Sequence, residues 1–269
     1  MTGADARVEA LVGAGLVPRE ARWLVEEFDG PDDDDLWVAA RRRLAGEPLQ
    51  YVIGHWPFRT LDLELDERVL IPRPETEELV GLALETLAGS RAPLIVDLGC
   101  GSGAIGLALV RELAERGVTA TLIGVDRSVD ALCVARANAL KHQVRTASFV
   151  VSDWFAQIDS SLRSRVDLVV ANPPYVAADE FVTLDPVLSH EPYGALVADD
   201  ADGVPGFAAV AQVIASSAQW LAPGGSLVCE HGAAQGAAAV HAAAEVGFVE
   251  VRDVTDLAGW PRVLVGRRP

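Results

Sequence analysis

Asn172-Pro173-Pro174-Tyr175 closes the apolar run Leu168-Val169-Val170-Ala171, so it stands at the carboxyl end of a buried strand. Its residue types suit one task. The Asn172 side-chain oxygen and the Pro173 carbonyl are two acceptors on adjacent residues, and the two prolines stiffen the backbone that carries them. A planar NH2 group, on an amide or an aromatic amine, has two N–H donors that such a pair can hold. Tyr175 offers an aromatic face for a flat acceptor. An amide nitrogen is a poor nucleophile because its lone pair is delocalised into the carbonyl. Chemistry on it therefore calls for rigid positioning and preorganised acceptors, and no strong base, since the N–H becomes acidic as the new bond forms.

A second cluster lies upstream. Ile95-Val96-Asp97-Leu98-Gly99-Cys100-Gly101-Ser102-Gly103 reads as a buried strand entering a glycine-rich turn, followed by an apolar helix over 104–111. Glycines let the backbone pass close beneath a ligand. Gly101, Gly103 and Gly106 also satisfy the G-x-G-x-x-G pattern of nicotinamide sites, and Asp126, ending the next strand, would grip ribose hydroxyls in either case. Asp97 directly ahead of a G-x-G-x-G turn tilts the reading toward S-adenosylmethionine, whose ammonium it is expected to meet while orienting the loop. After a third strand comes Ser152-Asp153-Trp154-Phe155, where Asp153 can accept from an adenine amine and Trp154 cover the ring. A methyl donor beside an NH2-holding loop implies methyl transfer to a planar amide or amine nitrogen. The other polar candidates carry less: His55, His142, His190 and His241 are scattered, and Glu230-His231-Gly232 either lines the pocket or stabilises the strand end.

The elements that must position these loops follow from periodicity. Ala21, Leu24, Val25 and Phe28 share one helical face, as do Leu36, Trp37, Ala40 and Leu44. The run of aspartates at 32–35 reads as a loop entering a helix N-terminus. Leu61, Leu63 and Leu65 alternate with acidic residues as in a half-buried strand, and Tyr51-Val52-Ile53 supplies the other strand of a hairpin. A helix over 75–88 starts after Pro74 and stops at Gly89. From Pro93 on, strands are expected at 94–98, 121–126, 148–151, 166–171, 226–230, 248–254 and 262–266, with helices after the first, second, fourth and fifth. The link at 255–261 is too short for a parallel crossover, so the last two strands must pair antiparallel. This is an α/β, Rossmann-like methyltransferase architecture of about seven strands. The division expected is a helical docking domain at 1–49, a β-hairpin linker at 50–72 and a catalytic domain at 73–269.

Composition narrows the partners. The 269 residues, half of them hydrophobic, suffice for a large core. No apolar run reaches the roughly 20 residues of a membrane span, and the N-terminus has no signal-peptide pattern. Cys100, Cys133 and Cys229 fit neither a disulfide framework nor a zinc site, which points to a reducing cytoplasm and no metal. A net charge of −17 disfavours direct nucleic-acid binding and favours a protein or small-molecule acceptor.

With these motifs assembled, the chain resembles the protein-(glutamine-N5) methyltransferases of peptide chain release factors, the HemK/PrmC family. The likeness runs from Gly46-Glu47-Pro48-Leu49-Gln50-Tyr51 and Ile71-Pro72-Arg73-Pro74-Glu75-Thr76-Glu77 to Glu191-Pro192 and Asp256-Leu257-Ala258-Gly259-Trp260-Pro261-Arg262. It implies methylation of the glutamine in the Gly-Gly-Gln loop of class 1 release factors. It also implies that Gly99, Cys100, Gly101, Ser102, Gly103, Asp126, Trp154 and Asn172 bind the cofactor, that Asn172, Pro173, Pro174 and Tyr175 hold the glutamine, and that the helical N-terminal part helps dock the substrate protein.

Overall fold

The computed structural model describes residues 3–30 and 33–269, so Asp32 of the acidic run lies outside the described residues. Four helices come first: α1 (Gly3–Gly13), α2 (Pro18–Glu27), α3 (Asp34–Leu44) and α4 (Leu49–Ile53). They close over a small core that includes Leu11, Leu24, Leu36, Ala40 and Val52. Ala21, Leu24 and Val25 are buried on α2, as their spacing predicts, with Phe28 half-buried beyond it. On α3 the buried stripe is Leu36, Ala39 and Ala40, whereas Trp37 and Leu44 are 36% and 44% exposed. Trp37 is turned about 100° from Leu36, and the small alanines are what let α3 approach its neighbours. Asp34 and Asp35 occupy the first turn of α3, where the helix dipole favours them.

Residues 51–53, which the sequence reads as a hairpin strand, are helical. Pro48 leads into α4, and Gly54, at φ 88°, ends it in a left-handed conformation that glycine adopts without a Cβ penalty. The hairpin begins just beyond, as β1 (His55–Phe58) paired antiparallel with β2 (Leu61–Glu64). Leu61, Leu63 and Leu65 are buried, as the alternation requires.

Helix α5 (Pro74–Thr86) leads to the main sheet. Its elements are β3 (Leu94–Leu98), α6 (Ala104–Glu115), β4 (Thr121–Asp126), α7 (Val129–Lys141), β5 (Ala147–Val151), β6 (Val166–Ala171), α8 (Ala178–Phe181), α9 (Tyr193–Leu196), α10 (Ala208–Ser217), β7 (Leu221–Glu230), α11 (Gly236–Glu245), β8 (Val249–Thr255) and β9 (Pro261–Arg267). The seven strands lie in the order β5-β4-β3-β6-β7-β9-β8. Neighbours are parallel except around β9, which is antiparallel to both β7 and β8, as the short link demands. β7 starts at Leu221 rather than near 226, with a register shift against β6 between Val166 and Leu168. One face of the sheet packs on a cluster with Leu79, Leu107 and Leu109, the other on Phe207, Val210, Trp220 and Ala239. Both faces are therefore covered, which explains the nearly continuous apolar strands.

The chain lays down β3, β4 and β5 in one direction and then returns to place β6 on the other side of β3. That reversal opens a crevice above the strands' carboxyl ends, where ligands of such sheets bind. Among the described residues, no helix is long and apolar enough to cross a membrane.

Candidate active site

The four motif loops leave the carboxyl ends of β3, β4, β5 and β6, which are neighbours in the sheet. The first is the glycine turn. Asp97, on β3, is fully buried; one of its oxygens, Oδ2, accepts from the Gly106 amide at 2.9 Å, satisfying an N–H in the first turn of α6. A Cβ at Gly106 would lie 2.9 Å from that oxygen and closer still to Leu122, so only glycine lets α6 settle here. The other oxygen, Oδ1, is buried, and among the described residues nothing donates to it. A buried polar atom left unpaired is costly and rare, and a cationic ligand group at the loop would satisfy it. Burial pushes the Asp97 carboxyl up to about 7, opposing the Gly106 N–H, which favours the charged form.

Asp126 ends β4 and touches the same turn: Oδ2 accepts from the Gly101 amide at 3.0 Å and Oδ1 from Ser128 at 2.9 Å. Each oxygen retains acceptor capacity for a ligand hydroxyl. Gly99 and Gly101 have φ of 70° and 52°, with open space where a Cβ would stand. Cys100 contributes backbone only, since its side chain is buried with Leu132, Ala135 and Phe149. Ser102 is buried too, its carbonyl held by Asn138, which also clasps the backbone of Glu64 in β2. Beyond β5, the Ser152 amide donates to the Asp126 carbonyl at 3.0 Å, fastening the third loop beside the second. Asp153 is exposed, and Trp154, at φ 47°, is half-buried against the cluster holding Phe155 and Trp220. An orphaned acid, a backbone turn open to a ligand and a second acid with spare lone pairs together fit a nucleoside that carries a free amino acid, such as S-adenosylmethionine. Asp126→Ala should weaken an adenosyl ligand by about 1.5–3 kcal/mol in calorimetry, the usual loss for hydrogen bonds to a charged group. Unchanged affinity, or tight binding of NADH instead, would refute this assignment.

The fourth loop lies across β3 from Asp126. Asn172 is half-buried and its Nδ2 donates to Thr76 Oγ1 at 3.2 Å. Among the described residues, nothing donates to Asn172 Oδ1 or to the Pro173 carbonyl, so both remain available as the acceptor pair. Pro173 is buried and Pro174 half-buried. Tyr175 is tied at every polar atom. Its amide donates to the Leu196 carbonyl, its carbonyl accepts from Gln235 Nε2 at 3.0 Å, and its hydroxyl donates to Glu230 Oε1 at 3.1 Å. At Gly206, whose φ is 64°, a Cβ would collide with that same Tyr175 carbonyl.

Several residues here escape sequence reasoning. Thr76, on the first turn of α5, donates to Glu230 Oε2 at 2.8 Å. Burial raises the Glu230 carboxyl, opposed by the Thr76 and Tyr175 hydroxyls and by the charge of Arg262. His231, the other half of that motif, is fully buried against Asp253 at 3.1 Å and serves the sheet rather than the pocket. Glu191, also buried, accepts from the Ile71 amide and from Arg73, tying the Ile71–Glu77 stretch to the acceptor side. The only available signal for Thr76 and Glu191 was their place in motifs to which no chemistry could be assigned.

Comparison with known proteins agrees with this geometry. A family profile described as "Methyltransferase domain" matches residues 93–247. A release factor glutamine methyltransferase of Burkholderia pseudomallei is 38% identical, covering 97% of this chain and 93% of its own length. Another, from Xylella fastidiosa strain 9a5c, is 36% identical and covers 100% and 97%. Among solved structures, the Thermus thermophilus 16S rRNA N2 G1207 methyltransferase in complex with AdoMet and guanosine shares the fold. Its TM-score is 0.55 at 18% identity, over 80% of this chain and 50% of that one.

Proposed function

The chain belongs to the release factor glutamine methyltransferase family, and on that premise we propose that it methylates the side-chain amide nitrogen (N5) of the glutamine in the Gly-Gly-Gln loop of a class 1 release factor, using S-adenosylmethionine. The observation that carries this reading is the vacant acceptor pair, Asn172 Oδ1 and the Pro173 carbonyl, beside the glycine turn with its orphaned Asp97 oxygen. Bound over residues 99–103, Asp126 and Trp154, S-adenosylmethionine supplies an electrophilic methyl on a sulfonium leaving group. Asn172 and Pro173 accept the two N–H groups of the glutamine, fixing the nitrogen's direction of attack. As the N–C bond forms and the methyl–sulfur bond breaks, the sulfonium would leave as the neutral thioether of S-adenosylhomocysteine. One of the two N–H groups becomes acidic and its proton passes to solvent without a dedicated base, so the methylated amide keeps one N–H. The rigid prolines mean that these acceptors need not reorganise during the reaction. Release factors act in translation, which supports a cytoplasmic location for the enzyme.

Adenine N6 presents a similar planar NH2, yet a duplex base must first be flipped out with help from phosphate contacts. A chain with 22 basic against 39 acidic residues is poorly equipped for that. Incubation with labelled donor and candidate acceptors, followed by mass mapping, should place the label on the Gly-Gly-Gln glutamine. Label on DNA or RNA adenine alone would overturn the reading.

The N-terminal helices α1 to α4 are proposed to dock the release factor. Trp37 and Val38 stand 36% and 47% exposed on α3, Trp37 flanking its buried stripe and Val38 on the far side, and adjacent exposed apolar side chains offer a contact surface. Replacing both with alanine should raise KM for intact release factor about tenfold, a typical loss for an aromatic anchor and its neighbour. Turnover of a short Gly-Gly-Gln peptide and cofactor affinity should stay unchanged. Equal effects on peptide and intact protein would count against docking by this face.

A further inference from the structure

We propose that Thr76 and Glu230 are positioning residues for the methyl transfer: by fixing which way the Thr76 hydroxyl points, Glu230 sets the orientation of the Asn172 amide and so presents its oxygen, not its NH2, to the acceptor. This rests on the reading that Asn172 holds the acceptor amide.

The logic is one of proton count. A hydroxyl has one hydrogen to give, while a carboxylate has none. Glu230 is 1% exposed and its two side-chain contacts are both hydroxyls, Tyr175 at 3.1 Å and Thr76 at 2.8 Å; with the carboxyl ionised, the form that both hydroxyls and the charge of Arg262 favour, each donates to it. Thr76 has then spent its proton. Toward Asn172 it can offer only a lone pair, and the group that meets it at 3.2 Å must be the Nδ2 donor. An asparagine amide rotated by half a turn has nearly the same shape, so shape alone does not choose between the two orientations. With the amide reversed, its NH2 would face the acceptor's NH2, two donors in opposition, and the nitrogen would lose one of the two groups that hold it. The direction set at Glu230 is thus handed through Thr76 to the atom that touches substrate. Thr76 is 3% and Glu230 1% exposed, so the contact between them is shielded from bulk water.

The replacements Glu230→Gln, Thr76→Val and Thr76→Ser separate this role from simple support. Glu230→Gln keeps the shape but adds an NH2 that can donate to Thr76, freeing its proton to turn the Asn172 amide. Thr76→Val keeps the branched shape without the hydroxyl. Both should lower kcat about ten- to a hundredfold, while KM for release factor and Kd for S-adenosylmethionine move much less. Thr76→Ser should restore most of the turnover that Thr76→Val loses. A second readout needs no acceptor. The Asn172 side-chain NH2 protons, assigned by their loss in Asn172→Ala, should exchange with solvent faster in Thr76→Val than in the parent and in Thr76→Ser. Thr76→Val turning over within about twofold of the parent overturns the proposal, as does Thr76→Ser failing to outperform it. Unchanged NH2 exchange in Thr76→Val does so even if the parent methylates no release factor, an outcome that would instead sink the assignment of the substrate.

Discussion

Asn172→Ala should lower kcat about 10²–10³-fold, the loss seen when one preorganised hydrogen-bonding group is deleted from a reaction centre. Affinity for S-adenosylmethionine should fall far less, because the acids that fit the ligand's polar groups, Asp97 and Asp126, sit on β3 and β4 and are untouched. Asn172→Asp is the sharper comparison. It retains an acceptor oxygen for the glutamine, but its other oxygen now faces Thr76, whose proton already belongs to Glu230. Two lone pairs meet, and a negative charge is added that stabilises a cationic ground state more than a charge-dispersed transition state. Turnover should therefore fall at least as far as in the alanine variant. Steady-state kinetics on intact release factor would show it, and full activity in Asn172→Ala would dismiss the proposed mechanism whatever the acceptor.

The second large effect belongs to Asp97. Asp97→Asn should weaken S-adenosylmethionine by about 10²–10⁴-fold, since removing one partner of a buried charge pair costs about 3–5 kcal/mol. Binding should also be linked to pH. In the free protein the Asp97 carboxyl titrates near 7, held up by burial, whereas an ammonium beside Oδ1 would pull it down. Below neutrality the free enzyme carries a proton that the complex must release, so affinity should weaken by up to tenfold per pH unit as pH falls from 7. Calorimetry at pH 6 in buffers of different ionisation enthalpy would register that proton. No release at pH 6, with undiminished affinity, would remove Asp97 from the ammonium site. The ligand-free fold behaves oppositely. Between about 4 and 7 the folded state keeps a proton that the unfolded chain has given up, so this group makes the fold less stable as pH rises through that window.

Much of this protein could be read from local pattern. The glycine turn, Asp126 and the Asn-Pro-Pro-Tyr loop each carry their chemistry on contiguous residues, and strand and helix periods recur over a few positions. Hence the alternation of elements and the antiparallel final pair were predictable. Local readings failed where burial depends on distant neighbours. Trp37 has the spacing of a core residue but stands open, because alanines at 39 and 40 define the packed stripe of α3. Tyr51-Val52-Ile53 has strand-forming side chains yet closes a helix, because Pro48 and Gly54 bound it and Val52 is needed in the N-terminal core.

Contiguous sequence determined which atoms are candidates to touch a methyl donor and an amide. Tertiary structure alone decided how those atoms are aimed. Thr76 meets Glu230 across 154 positions of chain and Asn172 across 96, contacts that exist only because β6 returns beside β3 and β7 follows it, with α5 packed over them. No periodicity announces such a pairing, since a hydroxyl's direction depends on which acceptor the fold buries next to it. The unequal pairing of the Asp97 oxygens has the same origin: the sequence places an acid before the glycines, but only the approach of α6 at Gly106 satisfies one oxygen and, among the described residues, leaves the other without a donor.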